Sequence, residues 1–179
     1  MMGSDEGSVA MDEPRESETG RRSLEIYLRD HRAGAHAGLA LVGRLRRANR
    51  GTPLGDVLDD IEAEIGEDRS ELGAIMDRLG VAESQLKKAG AKVAELVARL
   101  KSLGQLARSV PPDHMLELEG LLAGIDAKGN LWSTLQTIAP SRPELDEARL
   151  EHLVGRAASQ RDRIRTEHRR RAATAFGDA

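Results

Sequence analysis

Residues 27–81 read YLRDHRAGAHAGLALVGRLRRANRGTPLGDVLDDIEAEIGEDRSELGAIMDRLGV, and the fold of the chain turns on how this stretch divides. The break is NRGTP at 49–53, where Thr52 supplies a capping hydroxyl and Pro53 suits a first helical turn. Before it, Leu24, Leu28, His31, Ala35, Gly38, Val42 and Leu45 recur at alternating spacings of four and three. That pattern predicts a helix over 23–48, capped by Ser23. After it, Leu54, Leu58, Ile61, Ile65, Asp68, Leu72, Ile75 and Leu79 repeat the pattern as far as Gly80. Two long helices joined by so short a turn must lie antiparallel against each other.

The same rule read along the rest of the chain predicts a shorter helix over 84–103, with Ala89, Val93, Leu96 and Leu100 on its apolar side. SVPPD at 109–113 breaks it. A further helix is expected over 113–138, with Leu118, Leu122, Ile125, Gly129 and Trp132 inward. After APSRP a last one runs over 144–176 through Leu150, Leu153, Ala157, Ile164 and Ala175. Residues 1–22 hold almost no large apolar side chain and are expected to be a disordered acidic tail. No strand-like alternation competes, so the expected fold is all-α: a four-helix bundle over 23–176, two hairpins joined by a crossover that contains a short extra helix.

Composition removes several function classes. The chain has 179 residues and no Cys, which rules out thiol catalysis and Cys-ligated zinc or iron-sulfur centres. Its aromatic residues are Tyr27, Trp132 and Phe176, too few for a base-stacking platform. No signal-peptide core or membrane span is legible, and the expectation is a cytoplasmic protein without membrane contact. The formal net charge of -3 does not suggest a strongly electrostatic partner. Neither a Ser-His-Asp order, a GxxxxGK[ST] loop nor HExxH is present, so hydrolase and nucleotide chemistry have no support.

The chemistry that remains sits inside the stripes. With successive residues turned by about 100°, His31 falls at the centre of the first apolar face, Asp30 on its flank and His36 opposite. Asp68 lies on the apolar face of the second helix, with Glu64 on its flank. Lys128 comes nearest the stripe of the 113–138 helix, while Glu119 lies off its edge. The last helix brings Gln160 to the stripe edge and Arg161 within it. Groups of this kind are not buried unpaired, because an isolated charge costs several kcal/mol.

The run 27–81 resembles the first hairpin of bacterial ferritin-like proteins, including the stress-associated and rubrerythrin-related types. In that superfamily a Glu on helix one and a Glu-x-x-His on helix two, repeated in the second hairpin, hold two iron or manganese ions. Carried over by position, Asp30 or His31 stands for the helix-one Glu and Glu64 for the start of the helix-two motif. Glu67 occupies the place of the His, with Asp68 beside it. Glu119 matches the helix-three ligand, whereas Gln160 and Arg161 replace the second Glu-x-x-His.

Two readings follow from these positions. In one, Asp30, His31, Glu64, Asp68 and Glu119 bind iron or manganese. In the favoured one, His31, Asp68, Lys128, Gln160 and Arg161 form a buried polar network in which a side-chain cation replaces the metal, and no cofactor is needed. That reading makes the protein a non-catalytic structural or interaction protein, self-associating or bound to a protein partner. Nucleic-acid binding through Arg169, Arg170 and Arg171 carries less weight, since Asp162 and Glu167 interrupt the basic run. Gly34 and Gly38 are expected to permit close helix packing rather than to line a channel, with Gly124 and Gly129 in the same role.

Overall fold

The computed structural model describes residues 13–81 and 114–177, with side chains from residue 18 onward. Among these residues the chain forms four α-helices and no strand: α1 (Glu13–Ala48), α2 (Pro53–Arg78), α3 (Met115–Ile138) and α4 (Glu147–Phe176), with a 3-10 turn at Ala139–Ser141. The helix expected over 84–103 lies outside the described residues. Thr52 caps α2 by accepting from the Gly55 backbone N–H at 3.2 Å, ahead of Pro53 in the first turn. Asp146 caps α4 in the same way through the Arg149 N–H at 3.0 Å.

One boundary departs from expectation. The first helix begins at Glu13 rather than Ser23, so part of the tail expected to be disordered is helical. Its side chains 18–23 are exposed, and ion pairing stands in for burial: Glu25 takes Arg21 one turn before it and Arg29 one turn after it.

Contacts across the bundle fix its directions. Tyr27, before the middle of α1, donates its hydroxyl to Thr134 near the end of α3 at 3.4 Å, and Arg44, late in α1, approaches Glu117 at the start of α3 at 3.9 Å. These helices are therefore antiparallel. Arg149 at the start of α4 pairs with Glu71 late in α2, and Arg163 pairs with Glu64, so α2 and α4 are antiparallel too. The order is up, down, down, up. Each helix is antiparallel to both its neighbours, and α2 ends at the opposite end of the bundle from the start of α3.

The turn between α1 and α2 is closed by its own side chains. Buried Asn49 donates its amide to the Leu45 carbonyl at 2.7 Å, and its backbone carbonyl accepts from Thr52 Oγ1 at 2.8 Å. A Cβ on Gly55 would come within 2.2 Å of that carbonyl, so the turn requires glycine there.

The core falls into two clusters, each fed by all of the helices. One gathers Leu28, Leu72, Ile75, Trp132, Leu135 and Leu153. The other gathers Val42, Leu45, Leu58, Ile61, Leu121 and Ile164. Each fully buried Leu or Ile contributes roughly 1.5–3 kcal/mol, so these clusters carry the hydrophobic stabilisation of the fold. The α2 stripe read from the spacing is the buried face from Leu54 to Ile75, Asp68 included. Between the clusters lies a layer of polar side chains.

Candidate functional site

The layer is built around Asp68, whose side chain is 2% exposed. Its Oδ2 accepts from Lys128 Nζ and, at 3.3 Å, from Gln160 Nε2; its Oδ1 accepts from Arg156 Nη2. The Gln160 amide is held at both ends. Its Oε1 accepts from Lys128, and its Nε2 donates to Glu64 Oε2 at 2.8 Å. Arg163 also pairs with Glu64, and Arg156 reaches Glu67 at 2.7 Å. The carboxylates Glu64, Glu67 and Asp68 thus face the cations Lys128, Arg156 and Arg163 in equal number. Burial pulls the Lys128 ammonium below the usual lysine range, and Asp68 opposes that by charge and hydrogen bond.

Helix geometry explains who takes part. Leu150, Leu153, Ala157, Gln160, Ile164 and Glu167 are the inward positions of α4. Arg149, Arg156 and Arg163 flank that face at intervals of seven and meet Glu71, Glu67 with Asp68, and Glu64 of antiparallel α2. The result is a ladder of ion pairs along one side of the bundle. Sequence reading passes over Arg156 and assigns neither Glu67 nor Arg163 to the layer, although the heptad arginines opposite an acidic flank were there to be matched.

Other expected members lie elsewhere. Arg161 is one step of about 100° past Gln160; it turns outward and pairs with Asp162 at 3.3 Å. His31 is half-buried on α1 and packs edge-on against Tyr27, with ring centroids 4.5 Å apart. Among the described residues it makes no hydrogen bond to the layer. Burial lowers its pKa below the ordinary 6.5, partly offset by the charge of Asp30. Asp30 itself is exposed. Glu119, 53% exposed, pairs with His168 Nε2 at 3.1 Å.

Of the candidate ligands Asp30, His31, Glu64, Asp68 and Glu119, only Glu64 and Asp68 meet, through Gln160 Nε2. No group of three or more His, Asp and Glu suited to a metal ion forms among the described residues. The residues present do not fit a di-metal centre. Its carboxylates are already neutralised by ammonium and guanidinium groups, which oppose a divalent cation.

Beside the layer, between α1, α2 and α3, opens a cavity of about 560 Å3 with mostly apolar walls. His31, Asp68 and Lys128 reach it, and Gly34, Gly38 and Gly124 line it. A Cβ added at any of these glycines would meet nothing within 4 Å among the described residues. Among the described residues no helix packs closely on these three glycines. Gly129 does pack, with its added Cβ 3.6 Å from Ala157 Cβ, and Trp132 is 1% exposed in the core as expected. Trp132 also lines this cavity, and its buried Nε1 finds no acceptor among the described residues.

The arginine-rich end of α4 is largely committed to the protein. Arg163 binds Glu64, Arg170 binds Glu167 at 2.6 Å, and Arg171 binds the Asn49 carbonyl group of the side chain. No described helix is long and apolar enough to cross a membrane. No family model matches the chain, and no curated protein or solved structure is significantly similar to it.

Proposed function

We propose that the protein is a non-catalytic bundle of the ferritin-like class, a structural or interaction protein in which an ion-paired layer takes the place of the di-metal site. The observation that carries this reading is the position of Lys128 Nζ between buried Asp68 and Gln160. A fixed ammonium at mid-bundle supplies the positive charge that a metal would supply, and it fixes helix register at the same time. The up, down, down, up order supports the class, because it requires one long connection between two hairpins. Self-association belongs to the same proposal, with Ile26, Leu116 and Phe176 as its exposed large apolar side chains.

The test is elemental analysis of the untagged protein after incubation with ferrous iron, manganese or zinc, with light scattering on the same samples. The expected result is metal far below one ion per chain, unaltered by His31→Ala. Stoichiometric iron or manganese, lost on changing His31 or Asp68 to Ala, would overturn the reading and restore a redox role. A strictly monomeric scattering mass would remove self-association from it.

A further inference from the structure

Two oxygens of the polar layer hold the Lys128 ammonium between them, and each is aimed by partners other than that ammonium. Asp68 gives its Oδ1 to Arg156, which leaves Oδ2 for Lys128. Gln160 donates its Nε2 to Glu64 Oε2 at 2.8 Å and to Asp68 Oδ2 at 3.3 Å. An amide with its donor end on two carboxylates has its acceptor end turned away from them, and there Oε1 meets Lys128 Nζ. Asp68 is 2% exposed and Gln160 0%. The two oxygens are thus fixed by α2 and α4, and α3 supplies only the group that sits on them.

The backbone that carries this group is held as well. At Gly129, next to Lys128, α3 comes so near α4 that an added Cβ would stand 3.6 Å from Ala157 Cβ. Shortening side chain 128 would therefore leave both oxygens in place with a space the size of a short alkylammonium ion before them. Glu64, Glu67 and Asp68 would then face Arg156 and Arg163 alone, one positive charge short. A monovalent cation restores that balance and a divalent one overshoots it. Gln160 Oε1 would lose the donor it has in Lys128, so a cation that carries N–H groups restores more than one that carries none.

We propose that Asp68 Oδ2 and Gln160 Oε1 form a binding seat for a primary ammonium group, with Lys128 as its tethered ligand, and that the seat accepts a free alkylammonium ion once the tether is shortened. The inference rests on the reading of the layer as ion-paired and names the class of cation that the layer selects.

The test is thermal unfolding of the full chain carrying Lys128→Ala, in propylammonium, tetramethylammonium or manganese chloride at matched ionic strength. The expected midpoint in propylammonium is about 2 °C or more above that in tetramethylammonium, which has the same charge and no N–H, with no such difference for the unaltered protein. Equal midpoints in the two, whether raised by screening or not raised at all, would overturn the proposal. A larger rise with manganese would make the oxygens a metal site in the variant and overturn it too, whereas the ion-paired reading falls only if the unaltered chain takes up metal.

A second measurement serves if Lys128→Ala does not fold. The chain has no cysteine, so Lys128→Cys can be alkylated while unfolded and then refolded. Bromoethylamine, losing bromide to the thiolate, builds an arm of lysine length that ends in an ammonium; bromoethyl-trimethylammonium builds the same charge without N–H. The first arm should restore the midpoint of the unaltered protein and the second should not. Equal recovery from both arms, or from neither, would overturn the proposal.

Discussion

The α2–α4 and α1–α3 interfaces of this bundle join helices of the same antiparallel sense, yet they are made of different material. Along α2–α4 the contacts are long charged side chains matched in sequence order, Glu71 to Arg149, Glu67 and Asp68 to Arg156, Glu64 to Arg163. Sliding one helix by a turn would still set arginine against carboxylate along the ladder but would take buried Asp68 away from Lys128 and Gln160, so register is specified by the buried layer more than by the rim pairs. Along α1–α3 the walls are glycine, alanine and other apolar residues around a cavity, whereas the pocket on the α2–α4 side is lined by polar groups, Glu67, Ser70, Glu71 and Arg149 among them. The polar layer marks where the two regimes meet. Lys128 comes from the apolar side and binds a carboxylate of the charged one.

The strongest way to break this contrast is Asp68→Ala. Removing a carboxylate that is 2% exposed strands Lys128 and Arg156, and urea unfolding should show a loss of about 3–5 kcal/mol. A loss below about 0.5 kcal/mol would mean that the layer is wet and the distinction between faces is empty. The next effect is the coupling itself. A double-mutant cycle of Asp68→Ala with Lys128→Ala should give an interaction term on the order of 0.5–3 kcal/mol, and additivity would separate Lys128 from the layer.

Smaller effects sharpen the comparison. Arg149 sits at the exposed rim of the ladder, and Arg149→Ala should cost under about 1 kcal/mol and less at high salt. A cost equal to that of Asp68→Ala would make the ladder uniform rather than graded. The smallest signal is a pH slope at the cavity wall. Burial holds the His31 pKa below 6.5, so the unfolded chain takes up the proton first. His31 then contributes fully above pH 6.5, and stability is lost as pH falls through the folded value. His31→Gln should flatten that slope in unfolding curves; parallel curves for both proteins would place the imidazole in solvent.

Much of the architecture is legible because apolar periodicity and turn chemistry act locally. Leu54 to Ile75 on α2 and Leu28, Val42 and Leu45 on α1 are buried at the positions their spacing marks, and NRGTP makes the turn its residues demand. Asp68, Lys128 and Gln160 are found together because each interrupts or borders a stripe. Arg156 and Arg163 escape that method: they sit on a flank, where a long side chain reaches inward from a position that projects outward. Gly34 and Gly38, which meet no described neighbour, are hard to read for the opposite reason. A small residue on an apolar face permits close approach without requiring it, and only the neighbouring helix decides. The early start of α1 escapes because charge pairing along an exposed helix leaves no apolar pattern to read.

The division of the core into two clusters by a polar layer bears on how the molecule comes apart. Each cluster draws on every helix, so each end of the bundle has its own cooperative set of contacts, linked across Asp68 mainly by helix continuity and a few charge-assisted bonds. Amide hydrogen exchange should therefore resolve two protection levels along α2, one on each side of Asp68, rather than a single global value. The end that holds Trp132 would then open and close on its own timescale while the other remains intact.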